Sequence, residues 1–144
     1  HVIDLFAGCG TFSLPLAKQS LVVAVEGEAS MLAALDTAWR NAKGLKTVET
    51  QRRDLFRNPY MAEDLKKFEA VVLDPPRAGA KAQCEELAAS NVRQIAFVSC
   101  NPVTFARDAK ILVRGGYTID WIQVIDQFRW SPHVELVAKL TKSL

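Results

Sequence analysis

Short apolar runs and amphipathic stretches take turns along this chain. Residues 2–6, 21–25, 70–73 and 94–99 have the aliphatic, β-branched character of strands, and 46–51 is a short, more polar strand. Helical character falls between them, near 11–18, 28–43, 61–67, 80–89 and 102–113. In the second of these stretches Met31, Leu32, Leu35, Trp39 and Ala42 share one face at helical spacing. The last stops at Gly115-Gly116, a strong C-terminal signal. Beyond it, 117–124 and 133–140 read as two further strands with only the turn 126–132 between them. Helical crossovers pair strands in parallel, whereas a short loop pairs them antiparallel. The pattern therefore predicts an α/β fold: a doubly wound, Rossmann-like, mostly parallel sheet finished by a C-terminal antiparallel β-hairpin.

Composition narrows the class without naming a function. The 144 residues are 49% hydrophobic and 24% charged, which suits one globular domain with a normal core. No apolar run reaches the length of a membrane span, and no signal-peptide pattern opens the chain. Cys9, Cys84 and Cys100 are odd in number and widely spaced, so neither a disulfide framework nor a four-cysteine metal site is expected. A reducing cytoplasm and a monomer are the expected setting. Net charge is only +2, although Arg52, Arg53 and Arg57, then Arg77 and Lys81, then Arg107, Lys110 and Arg114 form local basic clusters. The chain opens directly on a strand without an initiator methionine, as expected of a domain within a longer protein.

Candidate chemistry gathers where strands end, which is where open α/β sheets bind ligands. After the first strand comes Asp4-Leu5-Phe6-Ala7-Gly8-Cys9-Gly10-Thr11. Gly8 and Gly10 permit a tight turn and close approach of a ligand, while Phe6 and Thr11 flank it as pocket-lining candidates. The third glycine of a dinucleotide fingerprint is missing. Glu26 ends the second strand, where a carboxylate can accept both hydroxyls of a ribose. Asp54, after the third, can accept from an exocyclic amine. The fourth strand closes on Asp74-Pro75-Pro76-Arg77. The fifth closes on Ser99-Cys100-Asn101-Pro102, in which Asn101 is a good N-cap and Pro102 a good first helical residue. A cysteine after an apolar run is by itself usually a packed small hydrophobe.

The glycine turn with Glu26 and Asp54 resembles the class I S-adenosylmethionine-dependent methyltransferases, whose sheet also ends in a hairpin. Asp74-Pro75-Pro76 is similar to the motif with which amino-directed members hold a planar nitrogen. Here, however, Arg77-Ala78-Gly79 follows it. Together with Val98-Ser99-Cys100-Asn101-Pro102, Phe105-Ala106-Arg107-Asp108, Asp126-Gln127-Phe128 and His133-Val134-Glu135, the whole chain resembles the RNA uracil-5-methyltransferases, the makers of 5-methyluridine in ribosomal and transfer RNA. The resemblance implies S-adenosylmethionine as cofactor, no metal in this chain, and an RNA substrate. It implies Cys100 as nucleophile and Glu135 as base, with Phe6, Gly8, Gly10, Thr11, Glu26, Asp54 and Asp74 toward the cofactor. The family's usual Phe-Pro before His-x-Glu is replaced by Phe128-Arg129-Trp130-Ser131-Pro132. Residues 1–144 would form the catalytic domain, with further cofactor contacts and RNA-binding modules in a preceding part. An amino-directed nucleic-acid methyltransferase and a non-catalytic RNA-binding domain are the alternative readings.

Overall fold

In the computed structural model, which describes residues 1–127 and 130–143, five parallel strands are set by the alternation of apolar runs and helices. They are β1 (Val2–Leu5), β2 (Val22–Glu26), β3 (Val48–Arg52), β4 (Ala70–Leu73) and β5 (Gln94–Ser99). Two more, β6 (Thr118–Ile125) and β7 (Glu135–Thr141), close the order β3-β2-β1-β4-β5-β7-β6. Only β7 runs against its neighbours: it inserts between β5 and β6 and pairs antiparallel with both. The expected hairpin is present, but its second strand, not its first, docks on the parallel sheet. This has a direct consequence for the site, because the beginning of β7 lies at the rim where the parallel strands end.

Helices α1 (Ser13–Leu16), α2 (Ala29–Asn41), α3 (Ala62–Leu65), α4 (Lys81–Ala89) and α5 (Pro102–Arg114) supply the crossovers. The larger core packs Ile3, Leu5, Val71, Leu73, Ile95 and Phe97 against Leu65, Leu87, Phe105 and Leu112. A smaller one packs Val22, Ala24 and Val48 against Ala17 and Leu35. The amphipathic face expected on α2 is narrower than its spacing suggests. Leu32 and Leu35 are buried, whereas Met31 is 45% exposed and Ala42 lies beyond the last helical residue. The helix expected over 11–18 is a single turn. Leu14 N already donates to the Gly10 carbonyl at 3.1 Å, but Pro15 has no N–H for the Thr11 carbonyl, so the ladder is interrupted there. Asn101 caps α5 as expected, its side chain accepting from Val103 N at 3.0 Å. Phe128 and Arg129, part of the turn expected over 126–132, lie outside the described residues, and His133 precedes β7 instead of belonging to it.

Candidate active site

The order of strands reverses between β1 and β4, and a crevice at such a switch point is where this architecture takes ligands. Phe6 leaves β1 in the left-handed region (φ 64°), an uncommon conformation for a bulky residue that is typical of functional turns. The bend carries the chain over β2, where Gly8 N donates to Glu26 Oε2 at 3.0 Å. Glu26 Oε1 accepts from Gly27 N at 2.7 Å and Glu28 N at 3.0 Å. Three main-chain donors thus fix this carboxylate, filling Oε1 and leaving one lone pair on Oε2. Gly10 is required for a different reason: a Cβ there would overlap the Leu35 side chain of α2.

Asp54 is held in the same manner, Oδ1 accepting from Phe56 N at 3.0 Å and Arg57 N at 3.3 Å. It borders a recess of about 290 Å³ with Phe6, Glu26, Gly27 and Phe56. The Phe6 and Phe56 rings stand 5.5 Å apart at 57°, and Phe6 also packs on the core, so it serves both roles.

A wider cleft of about 700 Å³ continues from this recess. Phe6, Thr11, Phe12 and Glu26 form one wall, and Asp74, Pro75, Pro76, Cys100, Gln127 and Glu135 form the other. Register explains why Cys100 and Glu135 meet. The β5–β7 ladder pairs Phe97 with Ala138, Val98 with Val137 and Ser99 with Leu136. One further step sets Cys100 opposite Glu135, and residues opposite one another on antiparallel strands project to the same face. Ile125, the last residue of β6, is paired with Glu135 and extends the row.

The acids of this wall have few donors. Burial, reinforced by the charge of Glu135, raises the Asp74 pKa to about 6. Burial also raises that of Glu135, opposed by a hydrogen bond from Gln127 Nε2 at 3.3 Å. Of the three thiols, Cys9 is exposed and Cys84 is buried in the core, where burial pushes its pKa far above the ordinary range. Cys100 is half-buried and the one that borders the cleft. Among the described residues no group of three or more His, Cys, Asp or Glu is placed to hold a metal, and no helix is long and apolar enough to cross a membrane.

Sequence reasoning missed several parts. Phe12 and Phe56 line the site with no motif to mark them. Arg77 Nη1 lies 3.4 Å from His133 Nδ1, and the Arg77 carbonyl accepts from Asn101 Nδ2 at 3.0 Å and Thr104 Oγ1 at 3.1 Å. This ties the segment after β4 to the start of α5. Asp4 was also unassigned, although a charged residue within an otherwise apolar strand is a detectable signal. It is fully buried and accepts from Ser13 Oγ at 2.5 Å.

Comparison with known proteins identifies the family. An uncharacterized RNA methyltransferase of Rhizobium meliloti is 60% identical over 142 residues, covering 99% of this chain and 34% of the relative. The 23S rRNA (uracil(1939)-C(5))-methyltransferase RlmD of Alteromonas mediterranea is 40% identical over 145 residues, covering 99% and 30%. The crystal structure of Pyrococcus abyssi tRNA (uracil-54, C5)-methyltransferase in complex with S-adenosyl-L-homocysteine superposes with a TM-score of 0.82 at 35% identity, covering 97% and 34%. The chain spans about a third of the length of these relatives. The family model for tRNA (uracil-5-)-methyltransferases matches residues 1–143, and the chain belongs to that family.

Proposed function

We propose that residues 1–144 form the catalytic domain of an enzyme that methylates carbon 5 of a uridine in ribosomal or transfer RNA, using S-adenosylmethionine. The observation that carries this reading is the extension of the β5–β7 register. It sets a half-buried thiol, Cys100, opposite a carboxyl, Glu135, in a cleft shared with Glu26 and Asp74. The residues present suit the cofactor. Glu26 keeps a lone pair on Oε2 for a ribose hydroxyl, Asp54 keeps Oδ2 for an exocyclic amine, and Phe6 with Phe56 gives an aromatic recess for a purine. When bound, S-adenosylmethionine supplies an electrophilic methyl group.

Carbon 5 of uracil is a poor nucleophile. Addition of the Cys100 thiolate to carbon 6 pushes the ring electrons into an enolate, and carbon 5 can then take the methyl group. The ring is now saturated at carbon 5 and carries both a proton and a methyl. Glu135 removes that proton, the double bond re-forms and the Cys100–carbon 6 bond breaks. Asp74, on the same side of the cleft as Cys100 and Glu135, positions the pyrimidine or the methionine end of the cofactor. The three scattered thiols suit a reducing cytoplasm.

The test is nucleoside mass spectrometry of RNA treated with the complete protein and S-adenosylmethionine. The reading expects 5-methyluridine. Methyl groups on exocyclic amines would favour the amino-directed alternative, and RNA binding without methylation would favour the non-catalytic one.

A further inference from the structure

Asp4 is the least expected polar residue of the fold. Its neighbours Val2, Ile3 and Leu5 are buried strand residues, and Asp4 itself has no exposure. Ser13 Oγ donates to Oδ2, but Oδ1 is buried with no partner among the described residues. A buried carboxylate with a bare oxygen is costly unless a positive group reaches it or a proton neutralises it. No lysine or arginine is paired with it among the described residues.

The surroundings deepen the shortage of positive charge. In register Asp4 lies beside Ala24 of β2 and Val72 of β4, two residues before Glu26 and Asp74 respectively. Both of those carboxyls line the cleft, and their charges act on Asp4. From α1 it meets the Ser13 hydroxyl, two residues after Thr11, which also borders the cleft. On this side α2 presents apolar Leu35, while its Asp36 and Arg40 pair with each other on the exposed face. Burial first, then the charges of Asp74 and Glu26, lift the Asp4 pKa to about 7, against the hydrogen bond from Ser13. Asp4 is therefore buried beside the two strands that carry Glu26 and Asp74 into the cleft, whose proposed ligand is a cation before the reaction and has lost its sulfonium charge afterwards.

We propose that Asp4 is a proton-linked counter-charge for the cofactor: a sulfonium ligand in the cleft drives the proton off Asp4, and the neutral thioether product lets it return. This rests on the S-adenosylmethionine reading above. The proton goes to solvent on binding and comes back from solvent after methyl transfer, so no other reactant is needed. Linkage makes the consequence measurable. For each unit by which a bound sulfonium lowers the Asp4 pKa, preference for S-adenosylmethionine over S-adenosylhomocysteine should grow roughly tenfold as pH rises through the titration.

The experiment is titration calorimetry of the complete protein near pH 6.5, in buffers of different ionisation enthalpy, which counts protons released on binding. S-adenosylmethionine should release a substantial fraction of one proton and S-adenosylhomocysteine markedly less. Asp4→Asn should bind S-adenosylmethionine with that release largely gone. Ser13→Ala, which strips away the hydrogen bond favouring the carboxylate, should move the release to higher pH. Release unchanged in Asp4→Asn would assign the proton to Asp74 and overturn the proposal. So would equal release with both ligands, or a window unmoved in Ser13→Ala. Failure to bind S-adenosylmethionine at all would strike the cofactor reading itself, whereas binding without Asp4-dependent release strikes this inference alone.

Discussion

The two ends of the cleft hold their carboxyl groups in opposite ways. At the β2–β3 end, Glu26 accepts from three main-chain N–H groups and Asp54 from two. At the β4–β7 end, Glu135 has one amide donor from Gln127, and burial raises both its pKa and that of Asp74. Groups that bind must keep one geometry and one charge, and backbone donors supply both without side-chain entropy. A group that exchanges a proton during a reaction works best with a pKa lifted toward the operating pH, and scarcity of donors produces that lift. The contrast fits the proposed division, with binding at the β2–β3 end and reaction at the β4–β7 end.

Substitutions should respect this division. The largest effect is expected for Cys100→Ala, which should reduce uridine methylation by the complete protein to background while leaving cofactor affinity within about twofold, since the thiol is proposed to touch only the uracil. Parallel loss of cofactor binding would erase the boundary between the two ends. Next comes Glu135→Gln, which should slow turnover by about 10²–10⁴-fold, the usual range for a lost general base. Because the thiol is intact, a methylated covalent RNA complex should accumulate on denaturing gels. Normal turnover would transfer the base role to another group, with Asp74 the nearest.

At the other end, Glu26→Ala should weaken cofactor binding by about 1.5–3 kcal/mol, the cost of losing hydrogen bonds to a charged group. Unchanged affinity by calorimetry would remove the ribose assignment. The smallest effect concerns pH. Asp74 and Glu135 are both raised, so each keeps its proton to higher pH than an exposed acid and is ionised only above that point. Methylation should therefore fall as pH drops through about 6, the value to which Asp74 is raised. Glu135→Gln removes the charge that helps raise Asp74, so the acid limb of single-turnover methyl transfer should move to lower pH. An acid limb that stays in place would show that neither carboxyl controls this step.

How far the sequence reveals this arrangement differs between the same two ends. Strand ends carry short, local motifs: Glu26 and Asp74 stop apolar runs, Cys100 follows one, and Asp54 is placed only by the strand that precedes it. The helix expected over 11–18 shrinks to the single turn of α1, because apolar spacing does not register the N–H that Pro15 lacks. The approach of Glu135 to Cys100 depends on β7 inserting antiparallel beside β5, a pairing between residues 35 apart that local periodicity cannot specify. The resemblance implies the pair, and the register accounts for their bordering the same cleft. Asp4 goes unassigned for the opposite reason: it lies within an apolar strand, and the pattern around it reads as core rather than as a site.

Peptide mapping of a trapped complex tests the central claim most directly. RNA carrying 5-fluorouridine at the target position can accept the methyl group but offers no carbon 5 proton for Glu135 to remove, so the thiol should remain attached to carbon 6. After incubation with the complete protein and S-adenosylmethionine, proteolysis and mass spectrometry should find the methylated fluorouridine on the peptide containing Cys100. The same modification on a peptide containing Cys9 or Cys84, or a stable complex surviving in Cys100→Ala, would contradict the account.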